Sequence, residues 1–195
     1  GLALATSITG LLNAALLLHG AGDIVRATDS GASDAVKKAA IGLSGKGIQV
    51  ETGGHTREFV EGSELVVVSP GVEDTSQAIK WAAKSGIPII GELELGYRFC
   101  KGKTIAITGT NGKSTVTTLI GEILKAGGKD TVVCGNIGNS LSGEIARIKD
   151  DTWVVIEVSS FQLERIERFK PMIAVILNIT DDHMDRYRAL YDYHR

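Results

Sequence analysis

Runs of β-branched residues alternate with stretches of helical period along most of this chain. The segments "IVRAT" (24–28), "IQV" (48–50), "ELVVVS" (64–69) and "IPII" (87–90) are short and apolar, and they predict strands. Residues 7–20, 33–43 and 75–86 lie around and between them and predict helices. The third helix places Ala78, Ile79, Ala82 and Ala83 on one face, with Gly86 set to end it. The theme then repeats. "KTIAIT" (103–108), "TVVCG" (131–135), "TWVVIEV" (152–158) and "MIAVILNIT" (172–180) predict strands. Residues 113–126, 141–150 and 161–169 predict helices, the first ended by Gly127 and Gly128 and the last closed by Pro171. Strands that are apolar almost throughout, alternating with helices, predict α/β architecture with parallel sheets covered on both faces. A boundary between two such units is expected near residues 91–100. A right-handed unit also needs a strand before the helix at 7–20. Nothing precedes Gly1, so that first strand, expected near the middle of the first sheet, reads as missing and the chain as cut at both ends.

Composition narrows the partners. Apolar residues make up 43% and charged residues 23%, and the net charge is −2. Neither nucleic acid nor an anionic membrane surface is an expected partner at that charge. The longest apolar segment, 11–18, is too short to span a bilayer, and no basic region precedes an apolar run as in a secretory signal. Cys100 and Cys134 match no metal spacing, which leaves reduced thiols in the cytoplasm as the expectation.

The strongest candidate chemistry lies in "ITGTNGKSTVTTLI" (107–120). The long phosphate-loop pattern requires a glycine five residues before the second one, but Ile107 stands there. The shorter run Gly109, Thr110, Asn111, Gly112, Lys113, Ser114, Thr115 still meets the physical demands. Two glycines permit turns that a Cβ would block. The helix beginning near Lys113 points free N–H groups and a positive dipole end at an anion. Lys113 adds a cation for the β- and γ-phosphates, and Ser114 or Thr115 offers a hydroxyl for Mg²⁺. The plainer alternative is a glycine turn capped by Thr110 or Asn111 with Lys113 in solvent. Seven consecutive fitting residues between a strand and a helix favour phosphate.

Two acidic or imidazole stations follow. "VVIEVSSFQLE" (154–164) sets Glu157 near the end of a buried strand, where a carboxylate is costly unless paired or bound to metal. "LNITDDHMDRY" (177–187) sets Asp181, Asp182 and His183 past the end of the next strand. Each has an ordinary alternative: a strand-end charge reaching water, helix caps, a helix-start histidine. Their order along the chain would bring Lys113, Glu157 and His183 to the same sheet edge, where open α/β sheets bind ligands.

The short G-T-N-G-K loop, "E-V-S-S-F-Q-L-E" and "N-I-T-D-D-H-M-D-R-Y" together resemble the Mur ligase family, ATP-dependent amide-forming enzymes of peptidoglycan synthesis. Within it they look like the branch that adds D-glutamate to UDP-N-acetylmuramoyl-L-alanine. The resemblance implies a Rossmann-like UDP-substrate domain over residues 1–92 and a partial P-loop-type ATPase domain over residues 93–195. A D-glutamate-binding domain would lie beyond the chain. It implies Lys113, Glu157 and His183 as catalytic residues and 109–115 as the ATP loop. Two Mg²⁺ sites are implied, one at Ser114 or Thr115 with Glu157, the other at His183 with a carbamylated lysine falling just past Arg195. The implied substrate contacts are Thr9, Asp29, Ser30, Ser69, Gly71, Asn136, Ser159 and Gln162. "SPGV" (69–72) and "CGNIGNSL" (134–141) match well, but "GLALATSITG" is not a clean glycine loop, and only Thr9 and Gly10 carry over from it. Asp29 follows Gly10 at close to the roughly 20-residue spacing of a dinucleotide fingerprint. Thr9 could equally be a helix cap and Asp29 a turn residue.

The reaction so implied phosphorylates the substrate carboxylate with ATP, and the amine of D-glutamate then attacks the acyl phosphate. Ser159 and Ser160 are expected to position rather than attack, because no base is evident beside them. The parent is expected to be a monomer in the cytoplasm, and these 195 residues alone to be inactive. Alternatives are another amino-acid ligase of the family, a non-catalytic ATP-binding module, and a dinucleotide-dependent oxidoreductase suggested by residues 1–90.

Overall fold

The computed structural model describes residues 2–6 and 8–180, with side chains described from residue 12 onward. His183, Asp181 and Asp182 lie outside the described residues. The first half comprises β1 (Leu2–Thr6), α1 (Ile8–Gly20), β2 (Ile24–Asp29), α2 (Asp34–Ser44), β3 (Gln49–Thr52), α3 (Arg57–Val60), β4 (Leu65–Val68), α4 (Gln77–Lys84) and β5 (Ile89–Gly91). Its strands pair in parallel in the order β3-β2-β1-β4-β5. The strand expected to be missing is therefore present: "LALAT" is β1, and it occupies the middle of the sheet. Reading 1–10 as an imperfect glycine loop concealed it. A central parallel strand has neighbours on both sides and needs no polar alternation to mark it.

The second half comprises α5 (Glu92–Phe99), β6 (Lys103–Thr108), α6 (Lys113–Ala126), β7 (Thr131–Gly135), α7 (Leu141–Glu144), a 3-10 turn (Ile145–Arg147), β8 (Trp153–Glu157), α8 (Ser160–Leu163) and β9 (Ile173–Ile176). Its parallel order is β7-β8-β6-β9, so β6 runs between the strand ending in Glu157 and β9. Alternate residues serve opposite faces, as the pleat requires. Val67 joins α1 residues Ala14, Ala15 and Leu18 in one core, while Val66 and Val68 join Ala78, Ile79 and Ala82 of α4 in another. In the second half Val154 and Ile156 pack on Leu141, and Val155 packs with Ile105 and Ile107 toward α6.

The segment expected to hold the boundary is a buried helix shared by both halves. Leu95 of α5 belongs to the first core and Leu93 to the second. Gly96 lets α5 and α7 meet, since a Cβ there would stand 2.9 Å from Leu141 Cγ and 3.0 Å from the Ser142 nitrogen. Glu92 accepts the Ser142 N–H at 2.7 Å, and burial pushes its carboxyl above the usual range. Glu94, fully buried, accepts the backbone N–H groups of Glu167, Arg168 and Phe169 at 2.9–3.0 Å and an N–H of Arg98 at 2.8 Å. This explains why the helix expected over 161–169 stops at Leu163: those N–H groups bond to a carboxylate instead of to carbonyls one turn back. Burial raises the Glu94 carboxyl, but the N–H of Glu167, the Arg98 guanidinium and the N–H groups of Arg168 and Phe169 outweigh it, and the net shift is downward.

Both cysteines are free, Cys134 buried and Cys100 half-buried, and burial pushes both thiols up, away from reactivity. Among the described residues no helix is long and apolar enough to cross a membrane.

Glu94→Gln is expected to lower stability by about 3 kcal/mol, near the low end for breaking a buried ion pair, measured by urea unfolding. The folded carboxyl titrates below the unfolded value of about 4.3, so its contribution is complete above that pH and is lost as pH falls through the folded value. Wild-type stability should therefore fall more steeply on acidification than that of the variant. Parallel curves would show that the carboxylate does not hold the turn.

Candidate functional site

The loop after β6 is held on the flank next to β9. Past Thr108 the chain enters Gly109 at φ 139°, and Gly112, at φ 86°, opens α6 from the left-handed region. A Cβ at Gly109 would stand 3.0 Å from the Asn178 carbonyl oxygen, so glycine there also permits a close backbone approach. The residues beyond β9 supply the rest of the grip. The Asn178 side chain accepts the Asn111 N–H at 2.9 Å and donates to the Asn111 carbonyl at 3.0 Å. The Thr110 N–H donates to the Asn178 carbonyl at 3.1 Å. The Thr110 hydroxyl donates to the Thr180 carbonyl at 3.1 Å and accepts the Thr180 N–H at 3.0 Å. Lys113 turns back over the loop, its Nζ 2.7 Å from the Gly109 carbonyl oxygen and 2.9 Å from that of Thr110. Ser114 and Thr115 are exposed on the first turn of α6, where helical N–H groups have no intrahelical partner.

On the other flank, the parallel register pairs Glu157 of β8 with Ile107 of β6 and with Gly135 of β7. Glu157 is 2% exposed. Its Oε1 accepts from Asn136 Nδ2 at 2.8 Å, whereas its Oε2 is buried and has no hydrogen-bond partner among the described residues. A carboxylate oxygen left so is expensive unless something cationic or protic meets it. That orphaned oxygen, with exposed hydroxyls at the start of α6, suits a hard cation that prefers oxygen ligands. No cluster of three or more acidic, histidine or cysteine side chains that could hold a metal occurs among the described residues. A cation here would thus rely on one carboxylate, hydroxyls, water and phosphate oxygens, the mixture magnesium favours.

The remaining candidates divide. Ser159 and Gln162 bond to each other: the Ser159 hydroxyl accepts the Gln162 N–H at 3.3 Å, and Gln162 Oε1 accepts the Ser159 N–H at 2.9 Å. They form the capping box of α8. Ser69 and Gln162 line one small cavity between the halves, together with Pro70, Glu92, Phe161 and Arg165. Asp74 ion-pairs with Arg165 across the same seam. Gly71 lies in the turn closed by the Val72 N–H bond to the Ser69 carbonyl. Asp29 Oδ1 accepts the Gly31 N–H at 2.8 Å, which makes it the turn residue at the end of β2, with Ser30 exposed beside it. Next to it the Thr28 hydroxyl is 2.8 Å from His55 Nδ1, and burial lowers the His55 pKa against the opposing charges of Glu51 and Asp29. Thr9 is the second residue of α1.

Comparison with known proteins agrees with this layout. Residues 7–91 match the model of the Mur ligase MurD-like N-terminal domain, and residues 107–195 match that of the Mur ligase middle domain. The chain belongs to the Mur ligase family. A UDP-N-acetylmuramoylalanine–D-glutamate ligase of Koribacter versatilis is 48% identical over 179 residues, 92% of this chain and 40% of that protein. One of the same name from Caldicellulosiruptor bescii is 55% identical over 137 residues, 70% of this chain and 30% of the relative. The chain thus spans about 40% of the length of the first of these relatives. Among solved structures, a UDP-N-acetylmuramate–alanine ligase from Thermotoga maritima aligns with TM-score 0.58 at 24% identity, covering 98% of this chain and 44% of that one. A UDP-N-acetylmuramate:L-alanyl-γ-D-glutamyl-meso-diaminopimelate ligase from Neisseria meningitides aligns with TM-score 0.62 at 18% identity, covering 98% and 64%. At those identities the two structures bear on the fold alone.

For this Mur ligase chain, motif spacing pointed to the loop and to Glu157 but passed over Asn178 and Thr180. Both stand within "NIT", at the end of a run expected to be strand to residue 180. The strand ends at Ile176, and the residues after it serve the loop. An asparagine just past a strand end, opposite a glycine loop, was the available signal, because its amide can imitate a backbone donor–acceptor pair. Asn178→Ala removes two hydrogen bonds to Asn111, each worth about 0.5–1.5 kcal/mol. It is expected to weaken binding of a non-hydrolysable ATP analogue roughly tenfold, by titration calorimetry. An unchanged affinity would mean that the loop keeps its shape without the clamp.

Proposed function

We propose that the protein carrying this chain is the ATP-dependent ligase that joins D-glutamate to UDP-N-acetylmuramoyl-L-alanine, acting as a cytoplasmic monomer. The observation that carries the reading is the buried Glu157 Oε2, without a hydrogen-bond partner among the described residues, on the strand next to the loop-bearing one. The names of the relatives supply the substrates. Residues 1–92 would hold the uridine nucleotide and residues 93–195 the ATP. Lys113 and the first N–H groups of α6 would hold the triphosphate, while the clamp from Asn178 and Thr180 keeps the loop from collapsing. Glu157 with Ser114 or Thr115 would hold Mg²⁺, whose chemistry is to neutralise charge as two anions are brought together. His183 is proposed for a second Mg²⁺ site.

No enzyme nucleophile is required. The substrate carboxylate takes the γ-phosphoryl group, the amine displaces the resulting phosphate, and the protein supplies alignment and charge compensation. Ser69, Gly71, Asn136, Ser159, Gln162 and the corner at Asp29 and Ser30, with Thr9, are proposed to line the path of the sugar nucleotide. The seam cavity that already joins Ser69 to Gln162 supports this.

The test uses the intact protein that carries this chain, assayed for amide formation and phosphate release with D-glutamate, L-lysine, diaminopimelate and L-alanine. Turnover with D-glutamate alone is the expected result. Preference for another amino acid reassigns the branch, and no turnover with any leaves an ATP-binding module. Glu157→Gln is expected to lower kcat more than about a hundredfold, beyond the usual loss for an outer-shell partner. Unaltered turnover in that variant would remove the carboxylate from the mechanism.

A further inference from the structure

We propose that Asn136 is a positioning residue for Glu157, fixing which carboxylate oxygen is left for the cation. This rests on Glu157 being the metal-holding carboxylate. Asn136 grips Glu157 at two points. Its backbone N–H donates to the Glu157 carbonyl at 2.9 Å, and its side-chain amide donates to Oε1 at 2.8 Å. Both bonds start from one residue, so the carboxylate is tied to its own backbone and its side-chain torsions are restricted. Oε2 remains buried and without a partner among the described residues.

Gly135 makes the grip possible. It pairs with Glu157 in the strand register, has φ 107°, and a Cβ on it would stand 2.3 Å from the Glu157 carbonyl oxygen. The turn is closed by the Gly135 N–H bond to the Asn139 carbonyl at 2.9 Å. The choice of an amide has a chemical reason. A lysine or arginine at 136 would also satisfy Oε1, but would cancel the charge that a divalent cation needs. A neutral donor orients the carboxylate and leaves its charge intact, as outer-shell partners of metal ligands do.

The intact protein would be titrated with Mn²⁺ in the presence of a non-hydrolysable ATP analogue, with free Mn²⁺ read by electron paramagnetic resonance. Asn136→Ala is expected to weaken Mn²⁺ binding roughly 10–100-fold. The same substitution made on Glu157→Gln should weaken it no further, because the two residues act as one. Asn136→Leu keeps the side-chain bulk and the backbone bond but cannot donate, and should match the alanine variant. Wild-type Mn²⁺ affinity in the single variants, with a raised KM for the sugar nucleotide, would overturn the proposal and leave Asn136 as a substrate contact alone. Loss of cooperative thermal unfolding in both variants would overturn it as well, since the role would then be structural. If the wild-type protein itself takes up no Mn²⁺ with nucleotide, the functional reading fails first. If it does and Asn136→Ala equals it, only this inference fails.

Discussion

Backbone and carboxylate groups that emerge past the carboxyl edge of the second sheet have no ladder partner, and the candidate site exists because amide side chains take them over. Asn178 supplies both a donor and an acceptor to Asn111, continuing the strand pairing where the strand itself has ended. Asn136 does the corresponding work on the other flank by holding Glu157. β6 runs between these two supports: the loop beyond it is fixed on one side by hydrogen bonds, and on the other lies β8, whose Glu157 carboxylate is incompletely satisfied among the described residues. On the β9 side Asn178 and the Thr110–Thr180 pair hold the glycine loop in shape.

The same principle links the two halves. Glu94 uses its charge to gather three consecutive N–H groups that would otherwise have continued a helix. The cost of burying a carboxylate is met by charge-assisted bonds from the backbone and by Arg98. Glu92 accepts the Ser142 N–H at the start of α7, but there burial outweighs the hydrogen bonds and its carboxyl shifts upward. With Leu93 and Leu95 turned to different cores, α5 joins two parallel sheets. The cavity joining Ser69 to Gln162 lies along that seam, so its lining depends on those buried acids.

Family resemblance and geometry contribute different things. Motif spacing pointed to the family, and the matches over residues 7–91 and 107–195 agree. Local geometry alters the reading of particular side chains. Ser159 and Gln162 commit polar atoms to each other, and Asn136 commits its amide to Glu157. Residues grouped by motif as substrate contacts thus already serve the architecture, and any contact with substrate must use the atoms left over.

Two features were determined by sequence alone. Apolar runs separated by helical periods specified the parallel α/β class, and the glycines around Lys113 specified the turn that opens α6. Both are local: period and glycine content act within about a dozen residues. The missing-strand expectation failed for the complementary reason. β1 is a strand because β2 and β4 flank it, a fact about neighbours distant in sequence. Likewise the end of α8 and the Asn178 clamp depend on partners 67 to 75 residues away, at Glu94 and Asn111, and the shared helix α5 depends on cores drawn from both halves. Tertiary structure decided which polar groups were left unsatisfied, because satisfaction depends on what the fold brings within hydrogen-bond reach, and no local pattern records that.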